Sequence, residues 1–148
     1  MTIRTIRKSD TTILAQFEQE ISTISFGADA VFDLDFYKRK IEKAMLKEQQ
    51  GMLVLEVDEA VAGWLWMAVK ENYLSHEKYV SFKSFYIAEP YRGTPAVKAL
   101  MDAGMKFCRK QGAKTIIGKV HVKNLPMQIV YKNYGFAPTH LTMEYDMK

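Results

Sequence analysis

The feature that most constrains the fold is a change of hydrophobic period between residues 79 and 122. A strand-like alternation runs through residues 79–87, which read Tyr-Val-Ser-Phe-Lys-Ser-Phe-Tyr-Ile. Residues 94–111 instead place apolar side chains on one helical face, and residues 115–122 return to a strand pattern. A strand, a helix and a second strand in this order predict a crossover connection with the two strands parallel.

The segments before this crossover predict more strands and two helices. Strands at 52–57 and 60–69, joined by a tight turn at Asp58-Glu59, predict an antiparallel meander with 79–87. One helix starts after Ser9 or Asp10 and another after Asp33 or Asp35, because any of these side chains can accept from a first-turn amide. The second helix ends at Gly51.

The remaining segments complete a single α+β domain over residues 1–148. We predict a short strand at 2–7, a short helix at 125–134 and a last strand at 140–147. The expected architecture is a mixed, strongly twisted central sheet flanked by four helices.

Composition narrows the classes of function. A single cysteine, Cys108, excludes an internal disulfide and a multi-cysteine metal site, and the three histidines are scattered. No run approaches the roughly 18 apolar residues of a membrane span, and the first residues lack the apolar core of a signal peptide. We therefore predict a cytoplasmic protein with no metal and no membrane partner. A formal charge of +4 without a concentrated basic face suits a small polyanion better than nucleic acid.

An anion site is indicated where the strand at 79–87 passes into the helix at 94–111. Thr94 is a good N-cap and Pro95 is favoured at the first helical position. Amides at the start of a helix and the helix dipole together attract phosphate. The groups expected at this anion belong to Arg92, Gly93, Thr94, Ala96, Val97 and Lys98.

This segment resembles the phosphate-binding loop of the GNAT acetyltransferase superfamily, which follows the pattern Arg/Gln-x-x-Gly-x-Gly/Ala. Tyr91-Arg92-Gly93 matches the usual lead-in. The chain departs from the pattern at Pro95, where the family prefers glycine, and at Val97, where it prefers Gly or Ala. Since Pro95 has no N–H, one expected phosphate contact is absent.

A second segment also resembles this family. Its signature Asn-x-x-Ala-x-x-Leu-Tyr-x-x-x-Gly-Phe is matched in register by Asn124, Tyr131, Gly135 and Phe136. The two segments are separated, as in the family, by one helix and one strand.

The resemblance implies an acyltransferase that uses acetyl-coenzyme A to acetylate an amine by direct transfer, without an enzyme nucleophile. It implies that the strands ending at Ile87 and starting near Thr115 splay apart. Backbone groups of Phe85 and Ile87 would then pair with the pantetheine arm. It also implies that Asn124 contacts the cofactor and that Tyr131 is the general acid. A tyrosine of pKa about 10 matches a departing thiolate of similar basicity.

The general base and the acceptor site are less defined. The family often has a glutamate on the strand before the phosphate loop, but residues 81–87 contain no carboxylate. His121, expected on the following strand, is the leading candidate for the base, with a water chain as the other option. Asp29 and Asp33 border the region where the family binds its acceptor, although one aspartate there is expected to cap a helix.

Several alternatives stay open at this point. The altered loop and the missing glutamate also fit a non-catalytic acyl-coenzyme A binding domain. The acceptor is a small-molecule amine or an amine of a peptide or protein. The oligomeric state is undetermined, with a homodimer as one option.

Overall fold

The computed structural model describes residues 1–148. It contains one sheet of five strands and four α-helices, and none of these helices combines the length and apolar character needed to cross a membrane. The elements in chain order are β1 (Thr2–Thr5), α1 (Thr11–Phe26), α2 (Leu34–Glu48), β2 (Met52–Val57), β3 (Ala60–Glu71), β4 (Lys78–Ile87), α3 (Pro95–Lys110), β5 (Thr115–Gly118) and α4 (Leu125–Asn133).

The sheet has the order β1-β2-β3-β4-β5, and only the β4–β5 pair is parallel. The predicted α+β class, the meander and the crossover through α3 are therefore confirmed. The turn between β2 and β3 lies at Asp58 and Glu59, whose φ angles of 51° and 65° are those of a type I′ hairpin turn.

Alternate side chains of β3 build two hydrophobic cores, one on each face of the sheet. Leu65 and Met67 pack with Leu100 and the other buried residues of α3. Trp64 and Trp66 face the opposite side, among side chains of α1 and α2 that include Phe17 and Ile41. Because both faces of β3 are covered, its sequence is a nearly continuous run of apolar residues.

The helix starts resolve the choices left open by the sequence. Asp33 caps α2, with Oδ1 accepting from the Phe36 amide at 3.1 Å. Asp10 precedes α1 but makes no capping bond to it. Its carboxylate instead accepts from the Arg7 amide at 2.7 Å and from both terminal nitrogens of Arg4 at 2.8 and 2.9 Å.

Arg4 thereby ties β1 to the start of α1. Its Nε also donates to Glu56 on β2 at 2.5 Å. Burial would raise the pKa of Asp10, but the hydrogen bonds and charge of Arg4, with the Arg7 amide, outweigh burial and lower it.

The pairing of β4 with both of its neighbours, β3 and β5, changes at the middle of β4. The register shifts between Trp66 and Met67, opposite Ser84 and Phe82, so that Lys83 is left without a partner on β3. The pairing of β4 with β5 ends at Phe82 and Gly118. Beyond this point, residues 83–87 have no strand on their outer edge.

Two sequence expectations at the C-terminal side are wrong. β5 ends at Gly118 instead of residue 122, and residues 140–147 form no strand. The alternating side chains of that segment, Leu141, Met143, Tyr145 and Met147, are each 85 or 86% exposed. Alternation is a local property, whereas a strand needs a neighbouring edge to pair with. The four residues of β5 make no backbone hydrogen bond to this segment.

The Arg4–Asp10 pair gives a test of this architecture. In Asp10→Asn, Arg4 keeps its charge and its contact with Glu56 but loses the bidentate carboxylate. We expect the free energy of unfolding at pH 7, measured by urea denaturation, to fall by about 3 kcal/mol, the lower end of the cost of breaking a buried ion pair. The folded state lowers the pKa of Asp10 below 3.8, its value in the unfolded chain. The stabilisation by the Arg4–Asp10 pair is therefore fully present above about pH 3.8 and is lost as the pH falls further.

The matched control for this variant is Asp58→Asn. It removes the same charge at an exposed turn position of positive φ, which asparagine tolerates. Its unfolding free energy should change by no more than about 0.5 kcal/mol. Equal losses in the two variants would contradict a structural role for the Arg4–Asp10 pair.

Candidate functional site

A small cavity of about 60 Å³ lies where β4 and β5 diverge. Its walls come from α1, the second half of β4, the turn after β5, and α4. Four residues predicted for the site line it together, namely Phe85, His121, Asn124 and Tyr131. A wider cavity of about 290 Å³ lies at the loop between β3 and β4, and none of the predicted residues lines it.

Tyr131 enters this cavity from α4 and is only 7% exposed. Its ring packs against Phe136 at 4.8 Å between centroids and against Phe82 at 6.5 Å. Burial raises the pKa of Tyr131 to about 12. The hydroxyl is therefore a neutral proton donor throughout the physiological pH range.

The position of Tyr131 depends on Gly118, the last residue of β5. A Cβ atom added at Gly118 would lie 2.5 Å from Cζ of Tyr131 and 2.6 Å from its hydroxyl oxygen. The absence of a side chain at Gly118 thus gives the tyrosine ring its space.

Asn124 and His121 lie in the turn that leads into α4. Asn124 is the N-cap of α4, and its Oδ1 accepts from the Met127 amide at 3.3 Å. His121, which was expected on a strand, lies beyond the end of β5. Its ring meets that of Phe26 edge-on, with centroids 6.1 Å apart.

One ring nitrogen of His121 is already engaged. Nδ1 accepts from the Lys123 amide at 3.1 Å, so the neutral ring carries its proton on Nε2. The neutral imidazole of His121 therefore has no free nitrogen lone pair that could accept a proton from an amine in the cavity. This argues against His121 as the general base.

The start of α3 has the capped form expected from the sequence. Thr94 Oγ1 accepts from the Ala96 amide at 3.3 Å and donates to the carbonyl of Tyr91. The Ala96 amide is consequently used within the helix start, whereas the sequence had indicated a free donor. Gly93 has φ of +74°, a left-handed conformation that favours glycine.

Both predicted cations lie near this helix start but bind groups of the chain itself. Arg92 Nε donates to the carbonyl of Ile87 at 2.8 Å, and its guanidinium lies 5.3 Å from the ring centroid of Tyr86. Lys98 Nζ lies 2.5 Å from Asp102 Oδ2, one helical turn away. The carbonyl of Ile87, expected to pair with pantetheine, is thus bound by Arg92 in this structure.

The residues predicted for the acceptor lie outside the cavity. Asp29 is exposed in a single helical turn, Gly27–Asp29, and Asp33 is taken up by its capping bond. The side chain of Phe32, which precedes Asp33, is 83% exposed and belongs to neither hydrophobic core. Of this loop region, the part that reaches the cavity is the end of α1, through Ile21 and Ser25.

Sequence reasoning missed a carboxylate next to the cavity. Ser84, which lines the cavity, donates from Oγ to Oε1 of Glu18 at 2.7 Å. Burial raises the pKa of Glu18 to about 7, although the Ser84 hydrogen bond, the charge of Lys40 and the indole N–H of Trp64 oppose the rise. The available signal was a glutamate on the apolar face of α1, between Leu14 and Ile21 at helical spacing.

Comparison with known families places these features in a wider context. The sequence pattern of the acetyltransferase (GNAT) family matches residues 14–136. This range includes α1 with Glu18, the start of α3 and all of α4.

One curated relative is similar in sequence, and two solved structures are similar in fold. A curated protein of Bacillus subtilis (strain 168), provisionally assigned as a ribosomal protein bS18-alanine N-acetyltransferase, is 25% identical over 128 residues, which are 85% of this chain and 76% of the relative. A possible acetyltransferase from Clostridium difficile 630 superposes with a TM-score of 0.79 at 19% identity, covering 99% of this chain and 97% of the other. The structure of AAC(6')-Iy with a bisubstrate analogue of coenzyme A has a TM-score of 0.75 at 14% identity, covering 99% and 97%.

The contact between Gly118 and Tyr131 can be tested by Gly118→Ala. The added methyl group must displace a ring that Phe82 and Phe136 hold in place, and overpacking of this kind costs about 1–3 kcal/mol. Thermal denaturation should show a loss of that size. Tyr131→Leu, which shortens the side chain, is the partner substitution for a double-mutant cycle. If the two losses simply add in the double variant, the tyrosine does not occupy the space over Gly118.

Proposed function

The chain belongs to the GNAT acetyltransferase family, and from that premise we propose that it moves an acetyl group from acetyl-coenzyme A to a primary amine by direct transfer. The observation that carries this proposal is the buried hydroxyl of Tyr131 beside the gap between β4 and β5. A neutral proton donor at such a gap suits a reaction that releases a thiolate.

The residues around the gap fit the proposed cosubstrate. The outer edge of β4 beyond Phe82 is open, so the backbone of Phe85 is available to an extended amide chain. The N-terminus of α3, with Gly93 and Arg92 before it, has the potential that attracts a pyrophosphate. Acetyl-coenzyme A would supply the activated acetyl group as a thioester.

The chain's own contribution to the chemistry is to hold the reacting groups and move protons. The Tyr131 hydroxyl gives its proton at the departing sulfur, and its burial keeps it protonated until it is needed. Phe82 and Phe136 pack against the tyrosine ring, and the side chain has little exposure to solvent. No side chain needs to form a covalent bond. Cys108 is buried in the hydrophobic core beneath α3, does not line the cavity, and has its thiol pKa raised by burial to about 11.

For the acceptor, we propose an amine of a peptide or protein, with an N-terminal alanine as the first to test. The support is the name of the relative from Bacillus subtilis, which gives an alanine α-amine of a ribosomal protein as its acceptor. The end of α1 lines the cavity, and the loop after it is exposed to solvent.

A non-catalytic acyl-coenzyme A binding domain is the alternative, because Pro95 removes one phosphate donor and β4 has no carboxylate. Both functions require binding of an acyl-coenzyme A, so binding alone does not distinguish them. Acetyl transfer to an amine acceptor is expected only of the enzyme.

Binding is the first expected outcome. Isothermal titration calorimetry with acetyl-coenzyme A should show one site per chain. Pro95→Gly restores an amide at the helix start and should tighten binding if that donor outweighs the lost rigidity. Absence of heat and of a thermal shift at millimolar acetyl-coenzyme A would contradict both the proposed function and its alternative.

The second expected outcome concerns Tyr131. Tyr131→Phe keeps the ring and removes only the proton donor, so kcat should fall by about 10²–10⁴-fold, the usual contribution of general acid catalysis. The dissociation constant for coenzyme A should change little. The assay follows thiol release with a peptide whose only primary amine is an N-terminal alanine. Unchanged turnover in a folded variant would mean that water or another group protonates the sulfur.

A further inference from the structure

Glu18 occupies an unusual position for a carboxylate. It projects from α1 toward β4, on the same helix face as Ile21 and Ser25, both of which line the cavity. The neighbouring contact between the two elements is a stack of Phe17 on Tyr86, with centroids 4.4 Å apart. Glu18 therefore lies at a tightly packed junction directly beside the site.

Only one of the two carboxylate oxygens of Glu18 has a partner. Oε1 accepts from Ser84, whereas Oε2 is shielded from solvent and makes no hydrogen bond of good geometry, although the nearby indole N–H of Trp64 favours the charged form of the carboxylate. A buried carboxylate oxygen without a partner is costly when charged and much less so when protonated. The unpaired atom thus marks a carboxyl group suited to receive a proton.

The charged groups around Glu18 come from two other elements. Lys40 on α2 attracts its negative form, and Lys40 and Lys83 lie 5.8 and 4.8 Å from the ring centroid of Trp66. Lys83 on β4 is paired with Glu48 at 2.9 Å. On β3, the indole N–H of Trp64 also favours the charged form of Glu18, whereas that of Trp66 is buried without a hydrogen-bond partner. Glu18 is the carboxylate to which the Ser84 hydroxyl donates.

Ser84 connects this carboxylate to the cavity. Its hydroxyl donates to Glu18, and the lone pairs of the same oxygen remain free to accept from a group in the cavity. His121 lines the same cavity but has its Nδ1 lone pair bound to the Lys123 amide. The Ser84–Glu18 pair therefore gives the cavity a route for a proton to leave.

From this geometry we propose that Glu18 is the proton acceptor of the acetyl transfer, and that the Ser84 hydroxyl passes the proton to it from the acceptor amine. The inference rests on the proposed function and supplies the base that β4 lacks. Glu18 does not contact the substrate in this proposal, because it receives the proton through Ser84.

The protons and bonds balance along this route. The ammonium form of the acceptor gives one proton to Ser84 Oγ as Ser84 gives its own to Glu18. The free amine then forms the new C–N bond while the C–S bond breaks. The second proton of the nitrogen ends on the sulfur by way of Tyr131, and Glu18 releases its proton to solvent.

The same arrangement favours one class of amine. A base of pKa about 7 lies roughly one unit below an α-amino group and more than three units below a lysine side chain. Proton transfer from lysine to Glu18 is therefore roughly 10²–10³-fold less favourable than from an N-terminus. At pH 7 we expect a peptide with a free N-terminal alanine to be acetylated faster than an N-acetylated peptide carrying one lysine.

The decisive experiment compares Glu18→Gln with Glu20→Gln, the same substitution two positions along α1. Glu20 binds the Tyr86 hydroxyl and does not line the cavity. With saturating acetyl-coenzyme A and the N-terminal alanine peptide, Glu18→Gln should lower kcat by about 10²–10⁴-fold, and Ser84→Ala should also lower it. Glu20→Gln should retain turnover within a few-fold of the parent, and coenzyme A affinity should be unchanged in all three.

The pH profile separates a proton role from a structural one. The parent rate should rise with pH through an ionisation near pH 7, and Glu18→Gln should lack that limb. Turnover of Glu18→Gln equal to the parent, an unchanged pH profile, or an equal loss in Glu20→Gln would each overturn the role of Glu18. A parent enzyme that releases no thiol with any amine would instead contradict the proposed function.

A second measurement needs no turnover. The folded state keeps the Glu18 proton up to about pH 7, whereas the unfolded chain loses it near 4.5, so stability falls as pH rises through this interval. The Glu18→Gln variant does not lose stability in this way, because glutamine does not titrate. The melting temperature of Glu18→Gln minus that of the parent should therefore increase by several degrees between pH 5 and pH 8. A constant difference across this range would show that Glu18 is not an enclosed titrating group and would overturn the proposal.

Discussion

Backbone pairing between β4 and β5 stops at Phe82 and Gly118, and the candidate site depends on the gap that follows. The register shift that leaves Lys83 without a partner on β3 lies next to the last β4–β5 pair. Tyr131 fills the space above Gly118, where no side chain competes with it. The ends of α1 and α4 then close the gap on either side, which leaves a small cavity instead of a continuous sheet.

The regular elements could be predicted because their periods are local properties of the sequence. The capped start of α3 and the register of Asn124 with Tyr131 could also be read directly. The length of β5 and the state of residues 140–147 could not, because pairing depends on an edge that lies elsewhere in the chain. The carboxylate at the site was missed for the same reason, since Glu18 and Ser84 are 66 positions apart.

The cations at the start of α3 are held by acceptors of the chain itself. The carbonyl of Ile87 binds Arg92, and the carboxylate of Asp102 binds Lys98. A phosphate group that binds here must compete with these contacts, and the exposed Lys98 pair is the easier of the two to break. Release of Arg92 would also free the Ile87 carbonyl, so in the proposed function phosphate binding and pairing along β4 would be coupled through one side chain.

Both tryptophans of the chain lie next to the Glu18–Ser84 pair, on neighbouring positions of one face of β3. Their rings are 5.4 Å apart, almost wholly buried, and flanked by the charges of Lys40 and Lys83. Indole emission is sensitive to the electric field of nearby charges. The tryptophan fluorescence of this protein therefore originates in a single region, and its intensity reports, without a label, on the charge of the Glu18–Ser84 pair.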